Sequence, residues 1–331
     1  MWHQLESPLS YDARGRKRKG NNTMSFTGVL RPGHIQIRVT DLAAAVRHYA
    51  EVIGLDEVMR GPDGRVYLKA WDEFDHHSVI LRKAETPGMD FVGFKVANDA
   101  ALSDLGQRVR RFGLAVEEVP SGEMPATGRR LRFTCPTGHM LELFADKQQL
   151  GNGLGTVNPE VKPETVKGMK PTRFDHCLLY GDDIDANLAL FTEVLGFHLT
   201  ETVIAGDGKT IIGTFLSCSN KPHDIAFIRS PEKGRFHHAS FCLESWNDIG
   251  NAADIITRHK VPLDIGPTRH GITRGYTIYF FDPSGNRNEV FSGGYQYYPD
   301  NPVLEWTEAE LGRAIFYYDR KLNEQLLSVT T

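Results

Sequence analysis

Apolar positions alternate with a period of two, switch to helical spacing, and return to alternation, and this change recurs four times along the chain. Gly33-His34-Ile35-Gln36-Ile37-Arg38-Val39 alternates as a half-buried strand does. Leu42, Val46, Tyr49 and Ile53 then share one helical face, with Asp41 placed to cap the helix and Gly54 to end it. Strands are predicted near 56–60, 65–71 and 77–83. A strand at 89–96, a helix at 99–112 and strands near 115–119, 129–134 and 139–145 follow. The order returns as strand 173–180, helix 183–195 and strands near 198–204, 210–217 and 223–229. It closes with strand 236–243, helix 246–259 and strands near 262–265, 275–281 and 287–292. Four consecutive βαβββ units imply an α+β fold in which helices cover one side of mostly antiparallel sheets.

The sequence repeats along with the pattern. Tyr49 to Leu55 (YAEVIGL) recurs as Phe191 to Phe197 (FTEVLGF), and Pro136 to Phe144 (PTGHMLELF) recurs as Pro283 to Phe291 (PSGNRNEVF). Two matches in one order and at similar separation define two homologous halves. Residues 28–146 form the first, expected to be structural and without metal; 172–294 form the second, expected to carry the site. The Gly- and Pro-bearing stretch 147–171 reads as a linker, and 295–331 as a tail with a helix from about Thr307 to Leu327.

Residues 1–27 are expected to be a leader without fixed structure. Arg14, Arg16, Lys17, Arg18 and Lys19 against Glu6 and Asp12 give residues 1–23 a charge of +3, leaving −7 for the remainder of a chain whose net charge is −4. The run lacks the apolar core of a secretory signal, and Met24 is an alternative start. The 331 residues are 40% hydrophobic and 24% charged, a composition that supports a large core. Cys135, Cys177, Cys218 and Cys242 show no CxxC spacing and read as reduced thiols of a cytoplasmic protein. No stretch reaches the roughly 18 consecutive apolar residues of a membrane span, and the near-neutral charge gives no sign of a nucleic-acid partner.

Chemistry enters through Glu289. A lone carboxylate between apolar neighbours in a strand needs a positive partner, and ordinarily that partner is an arginine. Alignment of the halves changes the reading. His34 falls opposite His176, Glu142 opposite Glu289, and Phe91 opposite His238, so the first half reads His, Phe, Glu and the second His176, His238, Glu289. Two neutral imidazoles and one carboxylate are the donor set of the facial triad of non-haem Fe(II) enzymes. Three ligands on one face leave an octahedral ion open to a chelating diol and one further ligand, whereas tetrahedral zinc would leave one position at most. His237 would point to the opposite face of its strand from His238. His223, His270 and Tyr279 supply proton-transfer and hydrogen-bonding groups nearby. Their counterparts His76, Glu123 and Arg132 do not form the same set.

The run His270 to Glu289 (HGITRGYTIYFFDPSGNRNE) resembles the signature of the extradiol ring-cleaving dioxygenases. RFDHCLLYGDD, KPHDIAFI, PEKGRFHHASF and AIFYYDRKLNE resemble the catechol 2,3-dioxygenase branch of that family, from about residue 28 to the C-terminus. The resemblance implies the vicinal oxygen chelate fold, an Fe(II) cofactor and a homotetramer. It implies His176, His238 and Glu289 as metal ligands, and His223, His270 and Tyr279 as catalytic and substrate-orienting residues. Catechol or substituted catechols and O2 would be the substrates, and 2-hydroxymuconate semialdehyde the product of catechol. Three other readings stay open: a dioxygenase for 2,3-dihydroxybiphenyl or homoprotocatechuate, a glyoxalase-like lyase or isomerase, and a non-catalytic binding protein. Fold alone does not separate them.

Overall fold

The computed structural model describes residues 27–331. The expectation of an unstructured leader, and of a start at Met24, falls on residues 1–26 and lies outside the described residues.

Four modules follow one another. The first contains β1 (Val29–Val39), α1 (Leu42–Arg47), β2 (Asp56–Arg60), β3 (Val66–Lys69) and β4 (Val79–Lys83). The second contains β5 (Gly88–Val96), α2 (Asp99–Arg111), β6 (Glu117–Val119), β7 (Arg130–Thr134) and β8 (Met140–Phe144). The third contains β9 (Arg173–Gly181), α3 (Ile184–Ala189), β10 (His198–Ile204), β11 (Ile211–Ser217) and β12 (Ile225–Arg229). The fourth contains β13 (Arg235–Cys242), α4 (Trp246–Arg258), β14 (Leu263–Arg269), β15 (Gly275–Phe281) and β16 (Arg287–Gly293). Two modules make each sheet. The first sheet runs β2-β3-β4-β1-β5-β8-β7-β6, and the second runs β14-β15-β16-β13-β9-β12-β11-β10 with β17 (Leu304–Thr307) at its edge. The opening strand of each module lies parallel to its closing strand, and the two opening strands of a half pair antiparallel. The α+β organisation expected from the repeat is the one observed.

Local signals act as their chemistry requires. Asp41 accepts the amide of Ala44 at 2.9 Å, and Asp183 accepts that of Ala186 at 3.1 Å, so both halves cap their first helix alike. Gly54 takes φ +95°, the left-handed conformation that ends a helix. The helix expected from Asp41 to Gly54 differs in its second part, where His48–Ile53 is π-helical, and Leu190–Val194 repeats this after α3. In the first half the wider turn sets His48 and Tyr49 against the fourth module: His48 hydrogen-bonds Asn288 at 2.9 Å, and Asn288 donates to the Tyr49 hydroxyl at 3.0 Å. One buried cluster joins the halves, with Phe94 edge-on to Phe197 at 5.2 Å between ring centroids. Among the described residues no helix is long and apolar enough to cross a membrane.

The tail departs from expectation. The single helix expected from Thr307 to Leu327 is replaced by β17, a 3-10 turn, α5 (Leu311–Ile315) and α6 (Glu324–Ser328). Phe316 leaves helical geometry at φ −124°, ψ 83°, and its buried ring packs with Tyr279 and Leu326. Burial of that ring against the second sheet overrides local helical spacing. It also carries the tail across the cavity described next.

Candidate metal centre

Three adjacent strands bring the candidate ligands together. On β13, Ser240 pairs with His176 of β9 on one side and with Glu289 of β16 on the other. His238 lies two residues before Ser240, on the same face. The first half keeps this register: Gly93 pairs with His34 and with Glu142, and Phe91 precedes it by two. In the second half the ligand atoms of His176, His238 and Glu289 all lie within 4.8 Å of one another. Glu289 Oε2 is 3.0 Å from His176 Nε2 and 3.3 Å from His238 Nε2. Donors bound at ~2.1 Å and at right angles stand ~3.0 Å apart. These edges therefore suit one octahedral ion. His238 Nε2 and Glu289 Oε2 are buried without a hydrogen-bond partner, a costly pairing of lone pairs unless a cation lies between them. The donor set is the 2-His-1-carboxylate triad of Fe(II) oxygenases.

The neighbours set the protons. Asp175 Oδ2 is 3.0 Å from His176 Nδ1, so that nitrogen donates, and in the neutral ring Nε2 turns its lone pair to Glu289. Burial acts to lower the pKa of His176, but Asp175 and Glu289 raise it, so a cation on Nε2, proton or metal, is favoured. Burial acts to raise the pKa of Asp175, but Lys221 and Arg173 hold it well below the usual carboxylate range. Burial likewise opposes ionisation of Glu289, and the facing imidazoles of His176 and His238 outweigh it. Thr277 donates to Glu289 Oε1 at 2.5 Å, leaving Oε2 free. Burial lowers the pKa of His238 to about 4, so its imidazole is neutral near pH 7.

His223, His270 and Tyr279 surround the same point. The His223 ring centroid is 4.1 Å from that of His176, and its Nδ1 is buried without a partner. His270 Nε2 is 2.9 Å from the Tyr279 hydroxyl, and its Nδ1 is 2.5 Å from the carbonyl of Ile315 in the tail. A carbonyl only accepts, so the neutral imidazole carries its proton on Nδ1 and takes a hydrogen bond from Tyr279 at Nε2. Burial and then the charge of Glu289 raise the Tyr279 pKa well above its ordinary value, which keeps the phenol protonated. These groups line a cavity of about 290 Å³ whose other walls include Leu178, Phe215, Ile272, Phe291 and Leu327.

The same fold occurs in known proteins. Residues 89–148 match the family described as Catechol 2,3-dioxygenase-like N-terminal domain, and residues 173–290 the Glyoxalase/Bleomycin resistance protein/Dioxygenase superfamily. A metapyrocatechase of Pseudomonas sp. (strain CF600) is 56% identical over 305 residues, spanning 92% of this chain and 99% of that protein. The chain belongs to the metapyrocatechase family. A manganese-dependent 2,3-dihydroxybiphenyl 1,2-dioxygenase of Geobacillus genomosp. 3 is 28% identical, over 86% of this chain and 92% of that protein. The crystal structure of the 2,3-dioxygenase LapB from Pseudomonas sp. KL28 superposes with a TM-score of 0.84 at 51% identity, covering 86% of this chain and 99% of that one.

Three features of this metapyrocatechase-family site differ from, or add to, the reading of the sequence. His237 does not point away from His238. A bulge in β13 between Phe236 and His238 breaks the alternation, and the two Nδ1 atoms lie 2.7 Å apart. Phe91 shares the first half's matching space with two arginines. It meets His34 edge-on at 5.7 Å, while the guanidinium groups of Arg130 and Arg132 occupy the oxygens of Glu142. Asp175 and Thr277 were not singled out, although Thr277 lies two residues from Tyr279 and so shares its face. The carbonyl of Ile315, which holds His270, has no signature in residue type.

Proposed function

We propose that this chain opens the ring of catechol, or of a simply substituted catechol, beside the carbons that bear the two hydroxyls. Both atoms of one O2 enter the product, 2-hydroxymuconate semialdehyde in the case of catechol itself. The observation that carries this reading is the convergence of His176, His238 and Glu289, with their facing lone pairs, in a mainly apolar cavity. These three would hold Fe(II), which when bound exchanges single electrons with both the catecholate and dioxygen and so relieves the spin barrier between them.

The chain's own groups orient substrate and move protons. The Tyr279 hydroxyl, kept protonated, gives its one hydrogen to His270 Nε2, which fixes its direction and leaves its oxygen to accept from a diol hydroxyl. His223 offers an unpartnered buried nitrogen beside His176, placed to take a proton and return it. The apolar walls hold the ring and exclude bulk water. A substrate bearing its own carboxylate is disfavoured, because the cations that line the cavity are already paired: Lys221 with Asp224 at 2.9 Å, Arg173 with Asp175 at 2.7 Å, and Arg229 with Asp185 at 2.6 Å. A cavity of about 290 Å³ also lies at the low end of small-molecule sites, as suits one ring rather than two.

The test is oxygen uptake with catechol after anaerobic loading with Fe(II). One O2 consumed per catechol, with a yellow ring-fission product, supports the reading. A fully loaded protein that consumes no oxygen, or yields the dicarboxylic acid of cleavage between the hydroxyls, overturns it. Assembly as a cytoplasmic homotetramer is part of the same proposal. It rests on the resemblance of the sequence to the catechol 2,3-dioxygenases, and light scattering checks the assembly.

A further inference from the structure

The two imidazoles of the triad are oriented by different means. His176 has the carboxylate of Asp175 behind it. His238 has no carboxylate there; its Nδ1 faces that of His237 at 2.7 Å. The far nitrogen of His237, Nε2, is 2.6 Å from the carbonyl oxygen of Leu326, in the last helix of the chain. The His237 ring is buried and stacked on Tyr180, with centroids 5.1 Å apart and planes 14° from parallel, so neither nitrogen is free to turn elsewhere.

The protons can be placed from these contacts. The Leu326 carbonyl accepts only, so Nε2 of His237 carries a hydrogen. A neutral His237 then has a lone pair on Nδ1. Two nitrogens 2.7 Å apart share one hydrogen, so it belongs to Nδ1 of His238. His238 is left with its lone pair on Nε2, the atom that faces Glu289 Oε2 at 3.3 Å. With the opposite arrangement a hydrogen would stand on Nε2, where no metal could bind.

The far end of this chain is itself tied down. Thr331 exchanges backbone hydrogen bonds of 2.8 and 2.9 Å with Phe236, the residue before His237. Arg287 donates to the carbonyls of Val329 at 2.7 Å and Gln325 at 3.2 Å. The bulge in β13 that turns His237 toward His238 is matched in the first half by one at Asp90, which serves Gln36, Arg38 and Arg82 instead. Among the described residues the relay therefore stands beside the triad and has no counterpart at the equivalent bulge.

We propose that His237 and the terminal segment Glu324–Thr331 form a positioning relay, in which the Leu326 carbonyl fixes His238 as its Nδ1–H tautomer and thereby readies Nε2 for a divalent metal. The proposal rests on the triad being the metal site. Partners behind metal-ligating histidines typically govern affinity by about 10–100-fold. Affinity for Fe(II), and for Co(II) as a redox-inert probe, is measured anaerobically by chelator competition in the full-length wild type, His237→Leu and His237→Gln. The glutamine amide can accept from His238 and donate to Leu326, so it should bind within about threefold of wild type, while leucine should bind at least about tenfold more weakly. Neutron diffraction of the metal-free wild type should show hydrogen on His237 Nε2 and His238 Nδ1. Hydrogen on His238 Nε2, or equal affinity in the leucine variant, overturns the relay while leaving the metal site intact. A wild type that binds neither metal overturns both. If the leucine variant does not fold, the neutron map decides alone.

Discussion

His34 with Glu142 and His176 with Glu289 occupy the same register positions in the two halves, and each pair is buried and in contact. The difference lies behind the imidazole. In the first half Lys147 Nζ donates to His34 Nδ1 at 2.9 Å, so the hydrogen of His34 stands on Nε2 and points at Glu142, 2.9 Å away. In the second half Asp175 accepts from His176 Nδ1, so the neutral ring presents an Nε2 lone pair to Glu289. A cation behind the ring writes one tautomer and an anion the other. Glu142 is then saturated by Arg130 and Arg132, at the positions that in the second half hold Thr277 and Tyr279. The first site satisfies its carboxylate with fixed guanidinium charge; the second leaves a carboxylate oxygen facing two imidazole nitrogens, a set that one cation can share. Retention of His and Glu is thus not enough to make a metal site, because the charges around them decide where the protons go.

The sharpest way to break the comparison is to remove the two glutamates in turn. Glu289→Ala should abolish turnover and metal retention while the chain stays folded, since it relieves a crowd of lone pairs. Metal analysis of the wild type should give one ion per chain, and two would mean that the first half binds as well. Glu142→Ala should do the reverse. It takes a carboxylate from His34, Arg132 and Arg130 at once, leaving the fully buried Arg130 with Glu123 alone, and loss of one member of a buried pair costs about 3–5 kcal/mol. Urea unfolding should show that loss, with the metal content of whatever remains folded unchanged.

Acid should reproduce the second result. Burial and then Lys147 lower the pKa of His34 to about 4. Burial would raise that of Glu142, but His34, Arg130 and Arg132 hold it at about 2. Both folded values lie below the unfolded ones, so the unfolded chain binds more protons and stability falls with pH. The losses fall between pH 6.5 and about 4 for His34 and between 4.5 and about 2 for Glu142, the latter on the order of 3 kcal/mol. In Glu142→Gln the lower part of that slope should disappear; a slope that persists there assigns it to other carboxylates.

A smaller effect is expected where the second half has hydroxyl and imidazole in place of the first half's charge. Tyr279→Phe and His223→Gln should each lower kcat by about 10²-fold, the usual scale for a positioned proton donor or acceptor, with metal content retained. Loss of the metal instead would place either residue among the ligands.

Much of this was legible because the chain says it twice. YAEVIGL against FTEVLGF and PTGHMLELF against PSGNRNEVF set the register, and register brings His176, His238 and Glu289 onto one face. Polarity patterns could not show the bulge at His237, since one extra residue leaves the composition of a strand unchanged. Nor could they show the tail. Its helix-like spacing from Thr307 onward yields to burial of Phe316, and what the tail contributes, the carbonyls of Ile315 and Leu326, is backbone. Arg130 and Arg132 were visible as residues, but their meeting at Glu142 depends on which face of β7 is buried.

The smallest expected effect is the control for the comparison. Asp41 and Asp183 cap equivalent helices through the same carboxylate-to-amide bond, at 2.9 and 3.1 Å. Neither touches a site, and removal of such a cap typically costs about 1 kcal/mol. Asp41→Ala and Asp183→Ala should therefore lower unfolding free energy by similar amounts, with kcat and metal content unchanged in both. If the two costs differ by more than about 1 kcal/mol, the halves have diverged in scaffold as well as in site. The contrast between Glu142 and Glu289 could then no longer be laid to the charges around them alone. Equal costs would leave the scaffold as the constant, and Lys147 against Asp175 as the difference that matters.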